Sequence, residues 1–238
     1  EDVTLRALFM KQTAYSDDDV RGMTADFEKA NPGIKVDLEF VPYEALHDKI
    51  VASINAGNSG YDVTLFDTIW PAEFAENHFL TDVTDKVPPH DQIFDGAWKT
   101  AEFDRKIWGM PWIMDTKYLF YNKDILAKAG IANPPKTWEE LMDQAKIIKQ
   151  KGLVQYPIAW SWGQAEALVC DYALLVQAFN GEFYQGDKPA FAQGGALDAL
   201  KFMTRSLKDG ISNPRSTEFL EEDVRGVFSS GRAAFALN

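Results

Sequence analysis

The 238 residues predict an α/β fold made of two units, each a mostly parallel sheet flanked by helices. Three observations carry this. Over the first 80 residues, runs that alternate apolar and polar side chains take turns with runs whose apolar side chains recur three and four apart, the order β-α-β-α-β-α. Helices used as crossovers between strands make the sheet parallel and cover both of its faces. The pattern then breaks at Gly109-Met110-Pro111-Trp112, and a second set of strands and helices follows.

Taken in order, residues 3–10 (VTLRALFM) alternate and read as a strand. Ser16 and Asp17–Asp19 offer N-caps for a helix carrying Val20, Met23, Phe27 and Ala30, which Asn31-Pro32-Gly33 stops. Residues 34–41 (IKVDLEFV) alternate again, and Leu46, Ile50 and Ile54 mark the next helix, ended by the turn-rich run 55–60. YDVTLF at 61–66 is a third strand, and a short helix starts near Trp70-Pro71, where proline suits the first turn. A hairpin is expected within 105–109 and a strand at 119–122, followed by a short helix ending at Gly130. Thr137 and Glu140 fit a capping box, the hydroxyl bonding the Glu140 N–H and the carboxylate reaching back. That helix continues through Leu141, Ala145 and Ile148. YPIAW at 156–160 is a strand, 164–179 a strongly apolar helix, and 181–195 a Gly-rich loop. Helices near 196–208 and 218–229 precede a last strand at 233–238.

Composition removes several function classes. Lys and Arg number 24 against 36 Asp and Glu, a net charge of −12 with neutral histidine. A nucleic-acid binder needs a basic footprint, and an anionic membrane surface repels such a chain. Apolar residues make up 46%, enough for a core, yet no apolar run approaches the ~20 residues of a membrane span. The single cysteine, Cys170, permits neither a disulfide framework nor a CxxC zinc site, and its apolar helix suggests a buried, inert thiol. The start at Glu1, without Met or an apolar leader, fits a removed export signal or trimming. The closing strand, with nothing after it, raises the expectation that the chain stops mid-fold.

Open α/β sheets bind ligands at the C-terminal ends of their strands. That rule selects Lys11-Gln12-Thr13, Pro42-Tyr43, Asp67 to Trp70, and Ser161-Trp162-Gly163-Gln164. Tryptophan, carboxylate, amide and hydroxyl dominate there. A sugar has hydroxyls around its edge and apolar C–H faces; carboxylates accept from the former, and aromatic faces cover the latter. Trp70, Trp160 and Trp162 beside Asp67 and Gln164 offer both. Plain alternatives stand beside each: a tryptophan in an α/β unit is as readily core, and an Asp after a strand is as readily a helix cap. Trp98, Trp108 and Trp138 read as packing, Trp160 as either, and Trp162, in a Ser/Gly context past its strand, as exposed. His47, His78 and His90 are scattered, and no HExxH, GxSxG, phosphate-binding or dinucleotide-binding motif occurs. Asp67 and Asp115 are the one candidate glycosidase pair, an alternative in which the chain processes glycosides.

Several stretches together resemble the extracellular solute-binding proteins of ABC sugar importers, the group of maltose- and trehalose/maltose-binding proteins. They are FEKANPGIKVDLEFVPY (27–43), YDVTLFDTIWPAEFAENHFLTDVTD (61–85), GMPWIMDTKYLFYNKDILAKAGI (109–131), PPKTWEELMDQAKII (134–148) and VFSSGRAAFALN (227–238). The resemblance implies a two-lobed periplasmic-binding-protein fold with the ligand cleft between lobes, 1–111 in the first and 112–238 in the second, both incomplete. It implies a periplasmic or membrane-tethered extracytoplasmic location, a carbohydrate ligand (di- or oligosaccharide, glycoside or polyol), and delivery to an ABC permease. It implies no chemistry on the ligand, no cofactor and no metal, and a monomer when complete. Family contacts map onto Lys11, Gln12, Thr13, Asp67, Trp70, Asp115, Trp162 and Gln164, with Tyr43 and Glu166 as looser matches and Trp112 as hinge lining or packing. Lys11 leaves room for an anionic glycoside. Family chains run longer, so the resemblance also implies that a C-terminal part is missing; use of such a piece as a scaffold or sensor module is the third reading.

Overall fold

The computed structural model describes residues 3–11, 15–57 and 60–238. It forms two compact units, one running to Met114 and one from Asp115 to Asn238.

In the first unit the elements are β1 (Val3–Met10), α1 (Asp17–Ala30), β2 (Ile34–Val41), α2 (Tyr43–Asn55), β3 (Val63–Thr64), α3 (Pro71–Glu76), α4 (Asp95–Thr100), β4 (Glu102–Phe103) and β5 (Lys106–Ile107). β1 lies between β2 and β3 and is parallel to both. Its consecutive residues Ala7 and Leu8 are both buried, which is the signature of a central strand covered on two faces. Leu8 packs with Val41, Leu46, Ile50, Trp70 and Phe74.

Helix α1 starts where the sequence places its cap. Ser16 Oγ accepts from the Asp19 N–H at 3.2 Å, and the Asp19 carboxylate accepts from the Ser16 N–H at 2.9 Å. The box satisfies two orphan donors at once, and three acidic residues in the first turn suit the helix dipole. Hairpin β4–β5 begins at Glu102, three residues before the expected 105–109. Asp104 and Arg105 form a two-residue turn with φ of 50° and 60°, and Asp tolerates that region better than Arg does.

The second unit contains β6 (Leu119–Tyr121), α5 (Lys123–Ala129), α6 (Trp138–Gln150), β7 (Ile158–Ala159), α7 (Glu166–Ala178), β8 (Tyr184–Gln185), β9 (Lys188–Pro189), α8 (Gly194–Lys208), α9 (Glu221–Ser229) and β10 (Phe235–Leu237). β10, buried throughout, is the central strand, parallel to β7 and antiparallel to β6, so this sheet is mixed. Its core joins Phe235 and Leu237 to Leu141, Ala145 and Ile148 of α6, Leu175 of α7 and Phe202 of α8. Thr137 Oγ1 accepts from the Glu140 N–H at 3.1 Å, as expected; the Glu140 carboxylate passes the cap and takes the Lys136 N–H at 2.7 Å instead. The Gly-rich segment after α7 contains the β8–β9 hairpin. It also holds a close crossing: a Cβ on Gly195 would lie 2.3 Å from the Phe179 carbonyl oxygen, so only glycine fits. Among the described residues no helix is long and apolar enough to cross a membrane.

Candidate functional site

In the first unit the chain leaves β1 for β2 on one side and returns to β3 on the other. The strand order therefore reverses at β1, and the rule for open α/β sheets places a ligand beyond the C-terminal ends of β1 and β3. Lys11 is exposed there, its N–H donating to the Val41 carbonyl. Gln12 and Thr13 lie outside the described residues. Asp67 follows β3 in an Asx turn: its Oδ1 accepts from the Ile69 N–H at 3.2 Å and the Thr68 hydroxyl at 3.3 Å. A carboxylate has further lone pairs, so this turn leaves acceptor capacity on Asp67.

Trp70 N-caps α3 and is 8% exposed, with its ring stacked on Tyr43 (centroids 6.0 Å, 16°) and met edge-on by His47 at 5.0 Å. The Tyr43 ring thus sits at the start of α2, beside Trp70. His47 Nε2 lies 3.0 Å from Glu73 and its Nδ1 3.3 Å from Asp48. The Glu73 carboxylate raises the His47 pKa above the ordinary 6.5 and outweighs partial burial; Asp48 adds to it. A raised cation pKa stabilises the fold fully below the unfolded value and loses that contribution as pH rises through the folded value. Resistance to urea should therefore fall as pH rises from the ordinary imidazole value of 6.5 through the raised one, and His47→Gln should flatten that part of the profile. An unchanged slope in the variant would remove His47 as its source.

In the second unit the segment after β7 carries the tryptophans. Trp160 is fully buried; its indole N–H donates to Ser212 Oγ at 2.8 Å and its backbone N–H to Ser216 Oγ at 3.2 Å. Trp162 stacks on it, centroids 4.8 Å apart at 9°. The sequence reading of Trp160 as a ligand contact is corrected: with no exposed surface it supports Trp162 from beneath. Trp162 is not openly exposed either, keeping 4% of its surface accessible, because its indole N–H turns inward to Asp171 Oδ2 at 3.1 Å. The backbone here is stitched to the segment before α9, Trp162 N–H to Ser216 O and Gly163 N–H to Phe219 O. Gly163 packs so close that a Cβ would sit 3.0 Å from the Phe219 oxygen. Gln164 is exposed in the turn into α7 and Glu166 begins that helix.

Asp171 is the residue that sequence reasoning missed. It is fully buried on α7, and Lys117 Nζ lies 2.8 Å from its Oδ1. Ser161 Oγ is 3.5 Å from Asp171 Oδ2 and 3.4 Å from Lys117 Nζ, and Glu221 lies 3.6 Å from the ammonium. Burial pushes the Asp171 carboxyl above the usual range, with Lys117 and the Trp162 N–H pulling back. Burial alone would lower Lys117, but Asp171 outweighs it and holds the ammonium above its ordinary value. The available signal was an aspartate alone in the apolar run ALVCDYALLV. Asp115, two residues before Lys117, is exposed outside any regular element.

One other expectation changes. Cys170 is exposed, not buried, and nearby apolar and acidic groups push its thiol pKa up, which disfavours the reactive thiolate. Trp112 is 39% exposed and rests against the rings of Phe9 and Tyr15. Asp67 and Asp115 belong to different units. Among the described residues no group of three His, Cys, Asp or Glu side chains is placed to hold a metal ion.

Known proteins share this fold. A maltose-bound T. maritima protein, MalE3, superposes with a TM-score of 0.86 at 29% identity, over 99% of this chain and 61% of its own. A solute-binding protein of an ABC transporter from Thermotoga lettingae, solved with α-D-tagatose, gives 0.86 at 30% identity, over 99% and 62%. A Brucella abortus protein described as a binding protein is 28% identical over 214 residues, 89% of this chain and 52% of its own length. The chain thus spans about half the length of that curated relative. The model of the bacterial extracellular solute-binding proteins matches residues 6–238, and the chain belongs to that family.

Proposed function

We propose that this chain supplies the first part of the ligand site of an extracytoplasmic carbohydrate-binding protein that serves an ABC permease. The observation that carries the reading is the close fit of nearly the whole chain to two sugar-bound solute-binding proteins at about 30% identity. The ligand is a di- or oligosaccharide, a glycoside or a polyol. It docks in a cleft between a first lobe (1–111) and a second lobe (112–238), and closure of the lobes by hinge bending is what the permease reads. Lys11, Gln12, Thr13, Asp67, Asp115 and Gln164 meet its hydroxyls. Tyr43, Trp70 and Trp162 present apolar edges to its C–H faces, and Trp160 backs Trp162. The protein carries the ligand unchanged and needs no cofactor. Its setting is the periplasm or the outer side of a membrane to which it is tethered.

Binding to the folded state raises the melting temperature by mass action. Maltose and D-tagatose, added to the protein containing this chain, are the first probes. For whichever raises the midpoint, Asp67→Ala should weaken binding about tenfold or more, since a charge-assisted hydrogen bond to a hydroxyl is worth ~1.5–3 kcal/mol. Calorimetry giving wild-type affinity for Asp67→Ala would remove Asp67 from the site; no midpoint shift with any sugar or polyol would sink the reading.

A further inference from the structure

We propose that Asp171 is a positioning residue for ligand binding: its buried carboxylate fixes the Trp162 indole and, through Lys117, the segment that carries Asp115. The proposal rests on the reading above that Trp162 and Asp115 meet the ligand.

A fully buried carboxylate on an apolar helix face is costly unless its lone pairs are committed. Those of Oδ2 are committed to a hydrogen bond beside the candidate site, while Oδ1, without a hydrogen bond among the described residues, is held by the Lys117 charge alone. Oδ2 takes the Trp162 indole N–H at 3.1 Å, and Oδ1 faces Lys117 Nζ at 2.8 Å. An indole has one donor and an ionised carboxylate only acceptors, so the bond selects one rotation of the Trp162 ring. The stack on Trp160 fixes the ring plane, and the two constraints together leave a single placement. Lys117 extends the effect along the chain. The backbone is next held at Tyr118, whose N–H donates to the Asn238 carbonyl at 2.9 Å, so among the described residues the Lys117–Asp171 pair is the anchor nearest Asp115. Glu221 does not substitute for Asp171, because it lies 3.6 Å from the ammonium with a side chain 55% exposed. A site whose contacts are held by a second layer of packed, bonded groups binds without first ordering them.

The test compares the protein containing this chain with the double variant Lys117→Met/Asp171→Leu, which removes both charges and keeps side chains of similar shape. The readouts are the Trp162 indole N–H in NMR spectra, identified by its loss in Trp162→Phe, and maltose affinity by calorimetry. The indole signal should shift and its solvent exchange should quicken about tenfold or more. Maltose affinity should fall by about tenfold. Lys117→Arg, which keeps the pair, should restore both. Wild-type shift and exchange in the double variant would overturn the proposal. So would a displaced indole with unchanged maltose affinity, where Trp162→Ala itself weakens binding. Should Trp162→Ala bind maltose normally, the carbohydrate reading fails at Trp162, and the indole readout still decides whether Asp171 positions the ring. Asp171→Asn, close in shape, covers failure of the double variant to fold: a shifted indole signal supports the proposal, and an unchanged one counts against it.

Discussion

Lys117→Met should lower the stability of the protein by about 3–5 kcal/mol, because it leaves the Asp171 carboxylate buried without its cation. Typical domains hold only about 5–15 kcal/mol in total, so the variant needs measurement at low temperature. The deficit should depend on pH in a stated direction. Asp171 already sits above the usual carboxylate range through burial, and loss of Lys117 raises it further. A group whose folded pKa is raised favours the fold when protonated, so the deficit of the variant should shrink as pH falls toward the ordinary carboxylate value of 3.8 and grow as pH rises through the raised one. Removing both members of the pair is a different experiment. A buried ion pair replaced by apolar residues of similar volume is often neutral or stabilising, so Lys117→Met/Asp171→Leu should recover most of the loss. Urea unfolding of the three proteins at two pH values separates these cases. A single-variant deficit below about 1 kcal/mol at pH 8 would mean that the carboxylate finds water or another partner.

Strands β1 and β2 and helices α1 and α2 were legible because each obeys one clear period. β1 and β2 alternate along eight residues each, and Ser16 with Asp19 announces α1. What sequence reasoning misjudged is where one period does not decide the face. Helix α7 carries apolar residues on more than one side, and Val169 stands exposed while Leu175 is buried. Neither the exposure of Cys170 nor the burial of Asp171 follows from such a pattern. The error at Trp162 has the same root. A residue in a Ser/Gly context past a strand reads as open, but its donor finds a carboxylate nine positions later, across the turn into α7. The β8–β9 hairpin went unread because two residues per strand are too few to establish alternation. At the candidate site, then, residue types at the strand ends were readable, while the groups that hold them came only with tertiary packing.

Trp160→Ala is the sharper test of how the candidate site is supported, with an expected cost of about 3–5 kcal/mol. Trp160 is fully buried, and its ring meets Trp138, Trp162 and Phe202. Truncation leaves a cavity among those rings and strips the Ser212 hydroxyl of its donor. Trp160→Phe keeps most of the apolar contact and loses only the N–H and part of the ring, so its cost should stay near ~1–2 kcal/mol. The pair of variants also separates support from contact. Trp160 has no surface on which a ligand can rest, so any effect of its loss on carbohydrate affinity has to pass through Trp162, whose face it covers. Affinity should drop in Trp160→Ala and return in large part in Trp160→Phe, with the Trp162 indole signal moving in step. Wild-type affinity in a folded Trp160→Ala protein would mean that the hydrogen bond to Asp171 alone fixes Trp162, and the stack beneath it would then serve only the core.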